Sequence, residues 1–178
     1  PPPRVSSAHS AAPTTVDLAR VRRLTFFCSL RSPYTYLAVD RVRALAASYG
    51  ATLELAFVLP MVMRGLPVNQ AKRLYIVRDA KREAERLNLP FGDIADPVGL
   101  PTERGLAVLN HAIAAGCGPD FLESFLRGVF AEGIDAGSQR GLQRIAHRAG
   151  MDCAAVTRAL DDPSWRTLAQ QHRDRMQH

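Results

Sequence analysis

Cysteine is scarce in this sequence, and none of it is arranged for a disulfide framework. Three cysteines, Cys28, Cys117 and Cys153, occur among 178 residues, and none lies in a CxxC. No pair of histidines stands at metal-ligand spacing either. These absences argue against a disulfide scaffold and against a structural zinc site, and no metal ligands are expected. An odd number of isolated thiols suits a reducing compartment, so a cytoplasmic location is expected. Long apolar runs are missing as well. Nothing approaches the roughly 20 residues that span a bilayer, so no membrane partner is expected. The opening stretch PPPRVSSAHSAAPTTVD lacks the apolar segment of a secretory signal. No internal repeat is visible. Aromatic residues make up only 7% of the chain. They are not interleaved with basic residues as single-strand recognition needs, so nucleic acid is not an expected partner.

What the sequence does hold is enough apolar material for one domain, with 47% hydrophobic residues. The formal charge of +6 favours an anionic partner, but the basic residues are scattered along helical segments and form no single block. Residues 1–23 are rich in Pro, Ser, Ala and Thr at their start and are expected to be a flexible tail or linker. Leu24 to Leu30 is short, apolar and aromatic, the pattern of a buried strand. Ser32 and Pro33 then suit the N-cap and first position of a helix, along which Leu37, Val42, Leu45 and Tyr49 recur before Gly50 closes it. Thr52 to Leu59 is a second apolar strand. The order predicts a right-handed βαβ unit over 24–59. From residue 60 to 178 the strand signals cease and helices are expected: Gln70–Leu87 with Leu74, Val77, Ala80 and Ala84 inward, then helices opening at Thr102, Pro119, Ser138, Asp152 and Pro163.

The informative segment is Arg31-Ser32-Pro33-Tyr34-Thr35-Tyr36-Leu37. It lies at the carboxyl end of the first strand, where open α/β sheets bind ligands. Free amides and the positive end of the helix dipole converge there and favour an anion such as a thiolate. A serine hydroxyl at that place can donate to a bound sulfur and lower a thiol pKa from roughly 8.5 toward neutrality. The same residues also read simply as a cap and a first-turn proline, and the segment alone leaves both readings open.

The run Ser-Pro-Tyr-Thr-Tyr-Leu at 32–37 is followed by Lys72, Tyr75 and Asp79 on a long helix and by Leu89-Pro90-Phe91. Further on come FLRGVFAEG at 125–133 and Ala149-Gly150-Met151-Asp152. In this order and spacing they resemble the 2-hydroxychromene-2-carboxylate isomerase and kappa-class glutathione transferase family, of the DsbA-type thioredoxin-like superfamily. The resemblance spans roughly residues 24–177. It implies an α/β fold, a thioredoxin-like βαβ start carrying a large helical insertion. It implies glutathione as cofactor, with Ser32 as the catalytic serine facing the glutathione sulfur, and Pro33, Tyr34 and Lys72 beside Ser32 in the glutathione site. Ser32 and Thr35 also fall where redox relatives carry two cysteines, and oxygen at both places excludes dithiol exchange there.

The implied activity is an isomerase or a transferase acting on an electrophilic, aromatic carboxylate, a small-molecule substrate. A non-catalytic binding or scaffold domain on the same fold is the alternative, as is a thiol oxidoreductase relative that has lost its CxxC. The family continues beyond the position of His178 with a Gly-x-Pro segment, two strands and a helix. The sequence reading therefore expects either a homodimer or a piece of a longer chain, with the edge of a two-stranded sheet open to pairing.

Overall fold

The computed structural model describes residues 23–177. The expected tail thus lies outside the described residues, apart from Arg23, which opens the first strand. Strand β1 (Arg23–Cys28) leads into helix α1 (Pro33–Ser48), which returns the chain to β2 (Thr52–Phe57). The two strands are parallel and adjacent, with Leu24 opposite Leu53, Phe26 opposite Leu55 and Cys28 opposite Phe57. Because paired residues of parallel strands point to the same side, these six make one continuous apolar face. A 3-10 turn (Met61–Arg64) follows. After it come α2 (Gln70–Arg86), α3 (Leu100–Ala114), α4 (Gly118–Ala131), α5 (Gln139–Arg148), α6 (Cys153–Asp161) and α7 (Trp165–Gln177). Every regular element described after residue 60 is helical.

Both strands stop two residues earlier than the apolar runs suggest. The last rung is the Val58 amide on the Cys28 carbonyl, 2.9 Å. Across that rung the Ser29 amide turns the other way and donates to the Thr35 hydroxyl instead, 3.3 Å, so the chain leaves the ladder and turns into α1. The same alternation aims the Phe57 carbonyl away from β1. There it meets the buried His172 ring of α7, whose Nδ1 lies 3.0 Å away and whose plane stands edge-on to the Phe57 ring. Helix α7 therefore closes the outer edge of β2. On β1 the backbone groups of Thr25 and Phe27 point away from β2 and pair with no strand among the described residues.

A second tie fastens α7 to the sheet. Arg175 donates to Glu54 at 2.7 Å and the Thr25 hydroxyl does so at 2.8 Å. The Arg175 hydrogen bond, then that of Thr25, lowers the Glu54 carboxyl from its ordinary 4.5 to about 2. A carboxylate depressed on folding adds stability above its unfolded pKa and loses it as pH falls through the folded one. Acid unfolding of the native chain is thus expected to draw on this group between pH 4.5 and about 2. In Glu54→Gln that part of the pH dependence should vanish, read as the unfolding midpoint in urea across the same range.

Three expectations need correction. On α1 the apolar series is buried only at Leu37, joined by Pro33, Thr35, Tyr36, Val39 and Ala46, whereas Leu45 and Tyr49 are exposed, because the helix packs on α4 along a different face at its C-terminal end. On α2 only the C-terminal half is seated: Ala80 and Ala84 are fully buried, while Leu74 and Val77 are exposed. Two alanines let the backbones of α1 and α2 approach, and the N-terminal half of α2 stands clear. Thr102 does not cap α3. The helix begins at Leu100 after Gly99, whose φ of 76° suits glycine, and the Thr102 hydroxyl donates to the Pro97 carbonyl.

Beneath the βαβ unit, Phe121, Phe125, Leu126 and Val129 of α4 pack with Leu106, Val108 and Leu109 of α3 in a fully buried core. Leu30, also fully buried, sits on Gly105 of α3, where Phe125 closes over the same glycine. The turn that carries Ser32 is thereby seated on the helical layer.

Candidate functional site

Ser32 caps α1 in an extended conformation, φ −98° and ψ 114°, and its Oγ accepts from the Thr35 amide at 3.3 Å. Its own amide donates to the Ser29 carbonyl and its carbonyl accepts from Tyr36. Pro33 has no amide to offer. Three donors at this helix start then have no acceptor among the described residues: the Ser32 hydroxyl proton, the Tyr34 amide and the buried Thr35 hydroxyl proton. They sit at the positive end of a 16-residue helix.

Ser32 and Tyr34 border a cavity of about 560 Å³. Its floor is the carboxyl end of the sheet with the start of α1. One wall is the chain leaving β2, from Val58 through the 3-10 turn to Arg64, and another is the raised half of α2. The stretch around Phe91 to Asp96 closes the remaining side, held on α4 by three backbone hydrogen bonds: Gly92 to Phe130, Ala95 to Val129 and Gly133 to Asp93. Phe91 stacks on Phe130 and Phe130 on Tyr36, each at 6.1 Å between centroids. The volume falls within the range of small-molecule sites, roughly 300–1,000 Å³.

Three side chains next to Ser32 in the sequence are paired across the fold. Arg31 makes two 2.6 Å hydrogen bonds to Asp96, which raise the pKa of its guanidinium and hold the 91–96 stretch over the Ser32 turn. Tyr34 donates to Asp79 of α2 at 2.8 Å. Loss of solvent, then that hydrogen bond, pushes the Tyr34 phenol up to about 12, so it stays protonated at neutral pH. Tyr36 donates to the Pro90 carbonyl, 2.8 Å.

Of the residues expected from the sequence, Ser32, Pro33 and Tyr34 come together on the cavity wall. Lys72 does not join them. It is exposed on α2, and its neighbour Arg73 faces the cavity, since successive helix residues point about 100° apart. Arg64, Arg73, Asp96, Phe91 and Phe130 also line the cavity and were not singled out as site residues. One signal could have found Arg64: it follows β2 as Ser32 follows β1, and both strands deliver their exits to the same end of a parallel pair.

No cysteine lines the cavity. Cys28, close to Ser32 in sequence, is buried, and burial pushes its thiol up to about 12. Cys153 is exposed and Cys117 half-buried. A maleimide is therefore expected to label Cys153 first and to leave Cys28 unmodified until the chain is unfolded, as peptide mapping by mass spectrometry would show. Labelling of native Cys28 would contradict the packing at the head of β1. Among the described residues no cluster of three or more His, Cys, Asp or Glu side chains could hold a metal ion, and no helix is long and apolar enough to cross a membrane.

Comparison with known proteins agrees with this geometry. The profile of the DSBA-like thioredoxin domain family matches residues 23–178. Among solved structures the chain is similar to 2-hydroxychromene-2-carboxylate isomerase, with 19% identity and a TM-score of 0.66 over 83% of this chain and 75% of that one. It is similar to a putative protein disulfide isomerase from Nitrosomonas europaea, with 14% identity and a TM-score of 0.62 over 85% and 76% of the two chains. A probable DsbA oxidoreductase from Streptomyces coelicolor shows 20% identity and a TM-score of 0.61 over 85% and 72%. No curated protein matches. At these identities the structural likenesses establish the fold.

Proposed function

The chain belongs to the DsbA-like thioredoxin domain family, and from that premise we propose that it is a glutathione-dependent isomerase or transferase for an electrophilic, aromatic carboxylate. The observation that carries this reading is the head of α1, where the Ser32 hydroxyl proton and the Tyr34 amide have no acceptor among the described residues and Ser32 and Tyr34 line a largely apolar cavity without a thiol. Oxygen at 32 and 35 cannot form a mixed disulfide. The redox activity that the names of two structural neighbours describe is therefore not chemistry this site can perform with its own side chains.

Glutathione fits these residues, because an anionic sulfur satisfies both free donors and the helix dipole at once. When bound it supplies the nucleophile that the chain lacks. The protein's part is to hold that sulfur ionised and aimed. The Ser32 hydroxyl, oriented by the Thr35 amide on its lone pair, donates its proton to the sulfur. The Tyr34 amide supplies a second donor along the helix axis. Together they favour the charged form over the neutral thiol and draw its pKa down from roughly 8.5. The apolar walls, with Phe91 and Phe130 among them, exclude water from the sulfur and give an aromatic ring a surface to pack on. Such a nucleophile would serve an isomerisation if it were regained after the reaction and a transfer if it were kept in the product. Titration calorimetry of the chain with reduced glutathione tests the reading: binding that weakens in Ser32→Ala supports it, and absence of binding contradicts it.

A further inference from the structure

The same cavity carries charge that the fold leaves unanswered. Three arginines and one carboxylate are among its lining residues: Arg31, Arg64, Arg73 and Asp96. Arg31 and Asp96 neutralise each other through two hydrogen bonds. Arg64 and Arg73 make no ion pair and no side-chain hydrogen bond among the described residues, and the Arg64 Nε is buried without any acceptor. The Nε of Arg104 and of Arg173 is buried without an acceptor as well, so what sets Arg64 apart is its place in the cavity lining beside a second unpaired arginine.

The backbone fixes where this group stands. Arg64 ends the 3-10 turn, and Gly65 follows in the left-handed conformation, φ 75°, with the Leu66 amide closing the turn on Met61 at 3.0 Å. Arg73 reaches the same space from the second turn of α2. The rest of the lining is largely apolar and includes Val58, Pro60, Met61, Ile76 and Phe91.

We propose that Arg64 and Arg73 form a carboxylate-binding end of the cavity, so that its ligand is an acid whose apolar body lies along the wall toward Ser32. This rests on reading the cavity as the ligand site, and it adds the residues that select charge. A carboxylate accepts from the terminal amino groups of Arg64 and Arg73, which the fold leaves without a hydrogen bond or ion pair among the described residues, the kind of contact that suits arginine. That carboxylate belongs either to an aromatic acid or to the tripeptide itself, and the two sources are separable by experiment.

Calorimetry without glutathione compares trans-cinnamate with cinnamamide, its neutral counterpart, on the full chain. The acid should bind roughly tenfold or more tightly. In Arg64→Gln the two should bind within a factor of about two. Arg73→Gln, on the exposed surface of α2 where it disturbs no core, should lower the preference in part. Thermal unfolding of each variant confirms that the site is still folded.

S-methylglutathione, which keeps the carboxylates but has no free thiol, provides the second arm. If Arg64→Gln weakens it and leaves cinnamate unchanged, the carboxylate held there is the tripeptide's. Equal binding of cinnamate and cinnamamide together with undiminished S-methylglutathione binding in Arg64→Gln overturns the proposal. So does failure of both ligands to bind the unaltered chain. The thiol reading fails separately, if glutathione does not bind while cinnamate still loses affinity in Arg64→Gln.

Discussion

Ser32→Ala is expected to lower glutathione-dependent turnover by about 100-fold or more, while the fold survives. The activity estimate follows from the proposed role of Ser32 as one of two donors to the glutathione sulfur, a kind of donor that typically accounts for a factor of about 10²–10³. The stability effect is far smaller. Ser32 Oγ caps one amide at 3.3 Å, and loss of a cap costs about 1 kcal/mol. Ser32→Thr retains the hydroxyl and should keep part of the activity. Ser32→Cys restores sulfur at the helix start, where the dipole should make it reactive toward alkylating reagents. Steady-state kinetics with glutathione and an aromatic acceptor, alongside unfolding curves, separate the two effects. Full turnover in Ser32→Ala would reduce the residue to a helix cap.

The second large effect lies below the site. Phe125 is fully buried, and its ring edge lies where a side chain at Gly105 would be: a Cβ there would collide with Phe125 Cε2 and stand 2.7 Å from Leu30 Cδ1. Phe125→Ala should destabilise the chain by about 3–5 kcal/mol, the usual result of emptying a phenylalanine from a closed core. Gly105→Ala should cost about 1–3 kcal/mol through overpacking. It should also disturb ligand binding, because the displaced neighbour is Leu30, two residues before Ser32 and part of the same turn. Urea midpoints measure the first effect, and glutathione affinity at low denaturant measures the second. A neutral Gly105→Ala would mean that Leu30 and Phe125 have room to move and that the Ser32 turn is not held from beneath.

The elements of this fold were legible where local chemistry decides them. Ser32-Pro33 opening α1, Ser138 capping α5 and Asp152 capping α6 all read directly from side chains that bond their own first turn. The parallel pairing of LTFFCSL and TLELAFVL followed from apolar character on both faces and the single helix between them. What could not be read is what depends on distant partners. Leu74 and Val77 fit an amphipathic stripe, yet α2 is seated only at Ala80 and Ala84, so the stripe is half unfilled. Arg31 reads as one more basic residue until Asp96 is brought to it across 65 positions. Asp79 stands with Lys72 and Tyr75 on one helix in the sequence, and only the fold brings it to the Tyr34 phenol of α1. The candidate site was visible as a point, the serine at the strand-to-helix turn. Its walls were not, because they come from segments that meet only in the folded chain.

The most direct test of the account is the ionisation of glutathione bound to this chain, followed by thiolate absorbance in the ultraviolet as pH is varied. The account predicts that the bound thiol titrates well below the roughly 8.5 of a free one, and that this depression is lost in Ser32→Ala even at concentrations that saturate the variant. A bound thiol that titrates like the free tripeptide, or one whose shift survives Ser32→Ala unchanged, would contradict the claim that the head of α1 is built to hold a thiolate.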